Sequence, residues 1–176
     1  MFAKLAIALS ILLFCVVALA PPAQAQERGT IQALATVISS LNVIGTNNLQ
    51  FGVVTPGVNK AVDKATVGFA GEWTVTGTSN AEVAVSFELP DSLATADSLA
   101  FLTIVFNGTD ASYDDETGSG QTGPAGVVDP NGPATLNIGA AGTLMIWIGG
   151  TVVPSVAQTG GDYASDVVLL VAYTGG

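Results

Sequence analysis

Five carboxylates gather between residues 107 and 133: Asp110, Asp114, Asp115, Glu116 and Asp129. Oxygen-rich sets of this kind suit Ca²⁺, a hard cation that tolerates irregular loops. Asp110, Asp114, Asp115 and Glu116 are therefore the candidate metal ligands of the chain. Their spacing lacks the alternating Asp/Asn positions, the central Gly and the closing Glu of an EF-hand. The simpler reading is a long, mobile, solvated acidic loop between strands, with no metal or other cofactor. Histidine is absent, which removes the commonest general base and transition-metal ligand, so zinc, copper and Ser-His-Asp chemistry are set aside. Paired carboxylates, as glycosidases use them, would be the remaining catalytic set. Here they fall in one loop and on polar strand faces, without an apolar setting to raise a pKa. No enzymatic activity is expected. Asn107-Gly108-Thr109 is a glycosylation acceptor only in a host that modifies exported proteins. Of the two tryptophans, Trp73 alternates as a core residue, which leaves Trp147 as the one candidate for stacking on a sugar.

The chain that must position these residues starts after an export signal. Lys4 supplies a positive start, Leu5 to Ala20 is an unbroken apolar run, and Pro21-Pro22 ends it. Ala23-Gln24-Ala25 gives the small-x-small pattern of signal peptidase cleavage. The run is short for a span, which takes about 20 residues. Cys15, the only cysteine, lies within the signal and lacks the small residues of a lipobox. The expected organisation is a Sec signal over 1–25 and one domain over 26–176, with no membrane span in the mature chain. A mature chain of 151 residues suits a single domain with a real core. It has no disulfide and no thiolate chemistry. Three basic residues (Arg28, Lys60, Lys64) face fourteen acidic ones, a net charge of −11. No basic patch is available to release phosphate counterions, so nucleic acid is not an expected partner.

The mature sequence is rich in Gly, Thr, Val and Ala, and strand patterns recur in place of helical ones. Ile31 to Ile44 is a β-branched run that ends at Gly45-Thr46-Asn47-Asn48. Trp73 and Val75 alternate with Glu72, Thr74 and Thr76. After a turn at 77–80, Val83, Val85, Phe87 and Leu89 alternate with Glu82, Ala84, Ser86 and Glu88. Period 2 on both sides of a short turn predicts a β-hairpin lying on a core. Leu99–Phe106, Leu144–Ile148 and Val167–Tyr173 are instead apolar on both faces. In a two-layer sandwich only one face of each sheet is buried, so each such strand is either covered a second time or exposes an apolar strip. Met145, Trp147, Val167 and Leu169 are the residues read as a possible interaction surface.

An ordered series of motifs carries a resemblance. It comprises Leu49-x-Phe51-Gly52, Gly71-x-Trp73-x-Val75-x-Gly77, Leu144-x-Ile146-x-Ile148-Gly149-Gly150-Thr151, Gly160-Gly161-x-Tyr163 and Val168-x-Leu170-x-Ala172-Tyr173. From about residue 33 to 174 the chain resembles an uncharacterised family of exported, pilin-like bacterial domains in the style of spore-coat-U and fimbrial subunits. The resemblance implies an all-β fold, an immunoglobulin-like antiparallel β-sandwich of about seven to nine strands, with no catalytic residues to carry over. It implies an exported location (periplasm, cell surface or exterior) and a structural role, with self-association or other surface subunits as partners. The chain departs from fimbrial subunits in lacking their disulfide. It also offers only the 26–44 segment as a donor for strand exchange. The alternative function is a stand-alone secreted adhesive or ligand-binding module for glycan or Ca²⁺.

Overall fold

The computed structural model describes Gln32 and residues 40–175. The expected export signal with its expected cleavage residues Ala23 and Ala25, together with Arg28 and most of the 26–44 segment, lies outside the described residues. Among the described residues there is no helix. Twelve strands follow in order: β1 (Asn42–Asn47), β2 (Lys60–Val62), β3 (Gly71–Thr76), β4 (Glu82–Glu88), β5 (Ser92–Ala94), β6 (Phe101–Val105), β7 (Ala111–Asp114), β8 (Gly126–Val128), β9 (Ala134–Asn137), β10 (Thr143–Ile148), β11 (Gly150–Val153) and β12 (Val168–Tyr173). They form three antiparallel sheets: a first in the order β1-β3-β10-β7-β8, a second in the order β2-β11-β6-β5, and a third in the order β12-β4-β9. The expected all-β, sandwich-like fold is present.

The alternating residues converge on one core. Val75, Val83, Leu144, Ile146, Ile148 and Val152 have no or almost no exposed surface and belong to one continuous cluster. Each such side chain contributes about 1.5–3 kcal/mol by leaving water. Trp73 of the first sheet meets Phe87 of the third edge-to-face, with ring centroids 6.0 Å apart, a geometry that suits the aromatic quadrupole.

The predicted hairpin is not one. β3 pairs with β1 and β10, and β4 pairs with β12 and β9, so the two strands face each other across the core from different sheets. The connecting residues explain the crossing. Gly77 N–H donates to Gly142 O at 3.0 Å, Thr78 N–H to the Tyr173 hydroxyl at 2.7 Å, and Asn80 N–H to Ile138 O at 3.0 Å. The turn is held by other strands, and its two arms splay apart. A strand in a hairpin and a strand in such an arch carry the same period-2 signature, since both lay one face on the core.

Two further features raise the strand number above the expected seven to nine. One apolar run becomes two strands: β10 belongs to the first sheet and β11 to the second, with Gly149 between them. Gly149 N–H donates to Asp110 O at 2.7 Å, and a Cβ there would lie 2.7 Å from Lys64 N and collide with Val62 O. A strand that changes sheets needs a residue without a side chain where it passes a neighbouring backbone this closely. The acidic stretch, read as a mobile loop, instead contains β7 and β8, which pair with each other at the end of the first sheet. Tyr113 lies across Gly126, covering the bare backbone there. In the short turn between β6 and β7, Asp110 accepts from both the backbone N–H and the side-chain amide of Asn107.

Candidate functional site

The candidate metal ligands do not converge. Asp110 closes the turn at Asn107. Asp114, buried on β7, accepts from Gly118 N–H (3.0 Å) and Gly120 N–H (2.6 Å). Asp115 takes the backbone and hydroxyl of Thr117, while Glu116 reaches Ala141 N–H at 2.7 Å and Thr143 N–H at 3.3 Å. Glu116 itself stands at a positive φ of 72°. The four carboxylates thus serve as acceptors for three stretches of backbone, at 107, 117–120 and 141–143, a common use of Asp in loops. Among the described residues no group of three or more His, Cys, Asp or Glu is placed to hold a metal ion. The Ca²⁺ reading of Asp110, Asp114, Asp115 and Glu116 is corrected accordingly.

The proposed interaction residues are also redistributed. Register places Met145 and Trp147 of β10 on the outer face of the first sheet, beside Thr74, Glu72, Ser112 and Asp114. The 117–124 loop follows β7 and is anchored at two points. Asp114 holds its start, and Gln121 Nε2 donates to Lys64 O beyond the far end of β10. Trp147 is left only 3% exposed and Met145 half-buried, with the Met145 sulfur accepting from the Thr74 hydroxyl. Ser112 Oγ and Trp147 Nε1, opposite each other in register, are buried without a hydrogen-bond partner. Trp147 therefore offers no platform for a sugar or a partner.

On β12 the parity is shifted by one residue from the reading above. Leu169 pairs with Phe87 and faces the core at 7% exposure, and Val167 precedes the strand half-buried. The outward residues are Val168, Leu170 and Ala172. The two-faced apolar strands thus divide. β10 is covered on both sides, whereas β6 and β12 each show an apolar strip to solvent.

The β6 strip extends over a whole sheet face. Phe101, Thr103 and Val105 point outward, next to Thr151 and Val153 of β11, with Ala61 of β2 and Ser92 and Ala94 of β5 at the margins. No charged side chain lies on this face, whereas the outer face of the first sheet carries Glu72 and Asp114 and that of the third carries Glu82 and Glu88. Phe101 and Val105 are 59% and 42% exposed. The signal for it was a run apolar on both faces, Phe101-Leu102-Thr103-Ile104-Val105.

The sheet edges differ in how they are blunted. β1 carries a register shift between Gly45 and Asn47, β2, β5 and β8 have three residues each, and Pro133 precedes β9. Ala94 of β5 is further bridged to Ala164. β12 has six residues, Val-Leu-Leu-Val-Ala-Tyr, without charge, proline or bulge, and among the described residues it is paired on one side only, by β4. Bulges, short strands and charges are the usual protections of an edge, and β12 has none of them. Tyr163 and Tyr173 hold neighbouring backbone with their hydroxyls. The Tyr163 hydroxyl donates to Thr159 O, and the Tyr173 hydroxyl accepts from Thr78 N–H. Among the described residues no helix is long and apolar enough to cross a membrane. No family model matches the chain, and no curated protein matches it.

Proposed function

We propose that this protein is a non-catalytic exported structural subunit of a cell-surface fibre or coat, assembling through β-strand pairing. The observation that carries the reading is β12, a long, uncharged strand that among the described residues is paired on one side only, with Val168 and Leu170 exposed. An extended segment added to such an edge gains main-chain hydrogen bonds along its length, and the outward side chains set its register. The pilin-like motif series and its immunoglobulin-like sandwich agree with this role. So do the export signal and the placement of every candidate carboxylate as a turn acceptor. The donor segment narrows from 26–44 to 26–41, because Asn42–Asn47 is already paired with β3 in its own sheet. Within 26–41, Thr30 to Ile38 carries no charge and no proline and suits a strand.

The test is capture of a synthetic 26–41 peptide by the purified mature protein. Binding that is lost in Leu170→Lys, with the fold intact by circular dichroism, supports the proposal. Indifference of the parent protein to the peptide removes it.

A further inference from the structure

The chain holds two Asn-Gly dipeptides, Asn107-Gly108 and Asn131-Gly132, and the fold sets them at different places in two neighbouring turns. In the turn between β6 and β7, Asp110 N–H donates to Asn107 O at 3.0 Å, which makes Asn107 the first residue of a β-turn and Gly108 the second. The N–H of a second turn residue lies outside the i→i+3 bond, and among the described residues Gly108 N–H donates to no acceptor. Asn107 and Gly108 are both exposed. In the turn between β8 and β9, Gly132 is instead the fourth residue, and its N–H donates to Asp129 O at 3.4 Å. The two side chains are held alike up to a point. Each asparagine gives its backbone N–H and a side-chain amide hydrogen to a nearby aspartate, Asp110 for Asn107 and Asp129 for Asn131. Asn131 Nδ2 donates a second time, to Phe106 O at 3.0 Å, which uses both of its hydrogens.

We infer that Asn107 is a self-modification site, at which the folded protein converts asparagine to aspartate and isoaspartate without an enzyme. A glycine after the asparagine leaves the backbone nitrogen unshielded, since no Cβ stands beside it. Once Gly108 N has lost its proton to solvent, it attacks Asn107 Cγ. The N–Cγ bond forms, the Cγ–Nδ2 bond breaks, and the amide leaves as ammonia with a proton taken from water. Water then opens the cyclic imide. Attack at Cγ gives aspartate. Attack at the main-chain carbonyl gives isoaspartate, whose backbone runs through Cγ and is one carbon longer. The balance is one water taken up and one ammonia released, with no change of oxidation state. The same attack at Asn131 first requires Gly132 N–H to leave Asp129 O and the Asn131 amide to leave Phe106 O. At Asn107 the lengthened backbone falls in a junction between sheets. Thr109 O accepts from Lys64 Nζ, and Asp110 O accepts Gly149 N–H where β10 passes to β11. Asp129 Oδ2 would stand 3.2 Å from a Cβ at Gly108, so carboxylates of Asp110 and Asp129 already flank the place where a new one arises. The reaction involves no strand edge and is independent of the proposed strand pairing.

The test is timed incubation of the purified protein at neutral and mildly alkaline pH, folded and in urea. Peptide mapping by mass spectrometry follows the conversion at each asparagine, and an isoaspartate methyltransferase labels the rearranged product. In the folded protein Asn107 is expected to yield both products, at a rate that rises with pH. Asn131 is expected to lag about tenfold, the effect of its two additional hydrogen bonds, and urea is expected to narrow that gap. Asn107→Gln is expected to remove the labelling of the folded protein, with the fold intact by circular dichroism. If that variant does not fold, Gly108→Ala replaces it, with a slower conversion at Asn107 expected. The isoaspartyl fraction is expected to melt below the parent. An Asn107 that stays an amide in the folded protein while converting in urea overturns the inference. So does an Asn131 that converts as fast as Asn107 in the folded protein, labelling that survives Asn107→Gln, or an isoaspartyl fraction that melts with the parent.

Discussion

A methyl group added at Gly149 would meet backbone on the neighbouring strand, Val62 O and Lys64 N, and backbone has nowhere to retreat. Gly77 is nearly as confined, with the Tyr173 hydroxyl at 2.5 Å and Ile138 Cδ1 at 2.7 Å from a Cβ placed there. Gly149→Ala is expected to cost about 3 kcal/mol or more, and Gly77→Ala about 1–3 kcal/mol, the range for overpacking. Gly160→Ala, which meets nothing within 4 Å, serves as the neutral control in the same urea titrations. Ser112 points the other way. Its hydroxyl is buried and unpartnered, and such a group costs about 1–3 kcal/mol in desolvation. Ser112→Ala is therefore expected to raise the melting temperature, and a fall would mean that the hydroxyl is satisfied in solution. Asp97 gives a pH signature. The Thr95 hydroxyl, and then Leu99 N–H, hydrogen-bond its carboxylate and hold its pKa below the ordinary value of 3.8. A depressed folded-state pKa contributes stability at neutral pH that disappears as pH falls through that lowered value. Asp97→Asn should therefore melt below the parent at pH 7 and converge with it once the pH drops below that value. A gap that persists in acid would contradict the assignment.

At the scale of elements, the decisive feature is that β3 and β4 lie in different sheets. Residues 16–176 contain no cysteine, so introduced pairs there report pairing directly. Thr74 and Met145 are register partners on β3 and β10. Cα atoms of antiparallel partners are about 4.5–5.5 Å apart, within the span of a disulfide. The pair Thr74→Cys with Met145→Cys is expected to oxidise to a bridge. Thr74→Cys with Ala84→Cys is expected to stay reduced, and a bridge there would reinstate the hairpin. This is also where reading the sequence stopped. Period 2 identified Trp73, Val75, Val83 and Val85 as core residues, and all lie in or against the core. Alternation encodes which face is buried and carries no information about the partner strand. The choice between hairpin and arch rests on Gly142, Ile138 and Tyr173, residues about 60 to 100 positions away that hold the turn. Likewise, the cluster of Asp110, Asp114, Asp115 and Glu116 is a cluster in sequence only. Each side chain turns to the nearest unpaired backbone N–H, and that choice depends on a local fold with no motif of its own. The apolar strip on β12 was legible, but its parity depended on where the strand begins, one residue later than its apolar run.

For the molecule as a whole, charge and edge geometry act together. Among the described residues most sheet edges are short or bulged, and β12 is the long apolar strand paired on one side only. Leu170→Lys at that edge is expected to change folding stability by less than about 1 kcal/mol, since the side chain is already half exposed, while suppressing assembly. The most direct measurement of the strand-pairing account is light scattering coupled to size-exclusion on residues 26–176, with and without the 26–41 peptide, followed by thermal melting of each peak. The account predicts oligomers that convert to peptide-bound particles. It also predicts a melting temperature raised by several degrees, since ligand at about 100 times its dissociation constant stabilises by about 2.7 kcal/mol. A particle whose size and melting temperature ignore the peptide would contradict it.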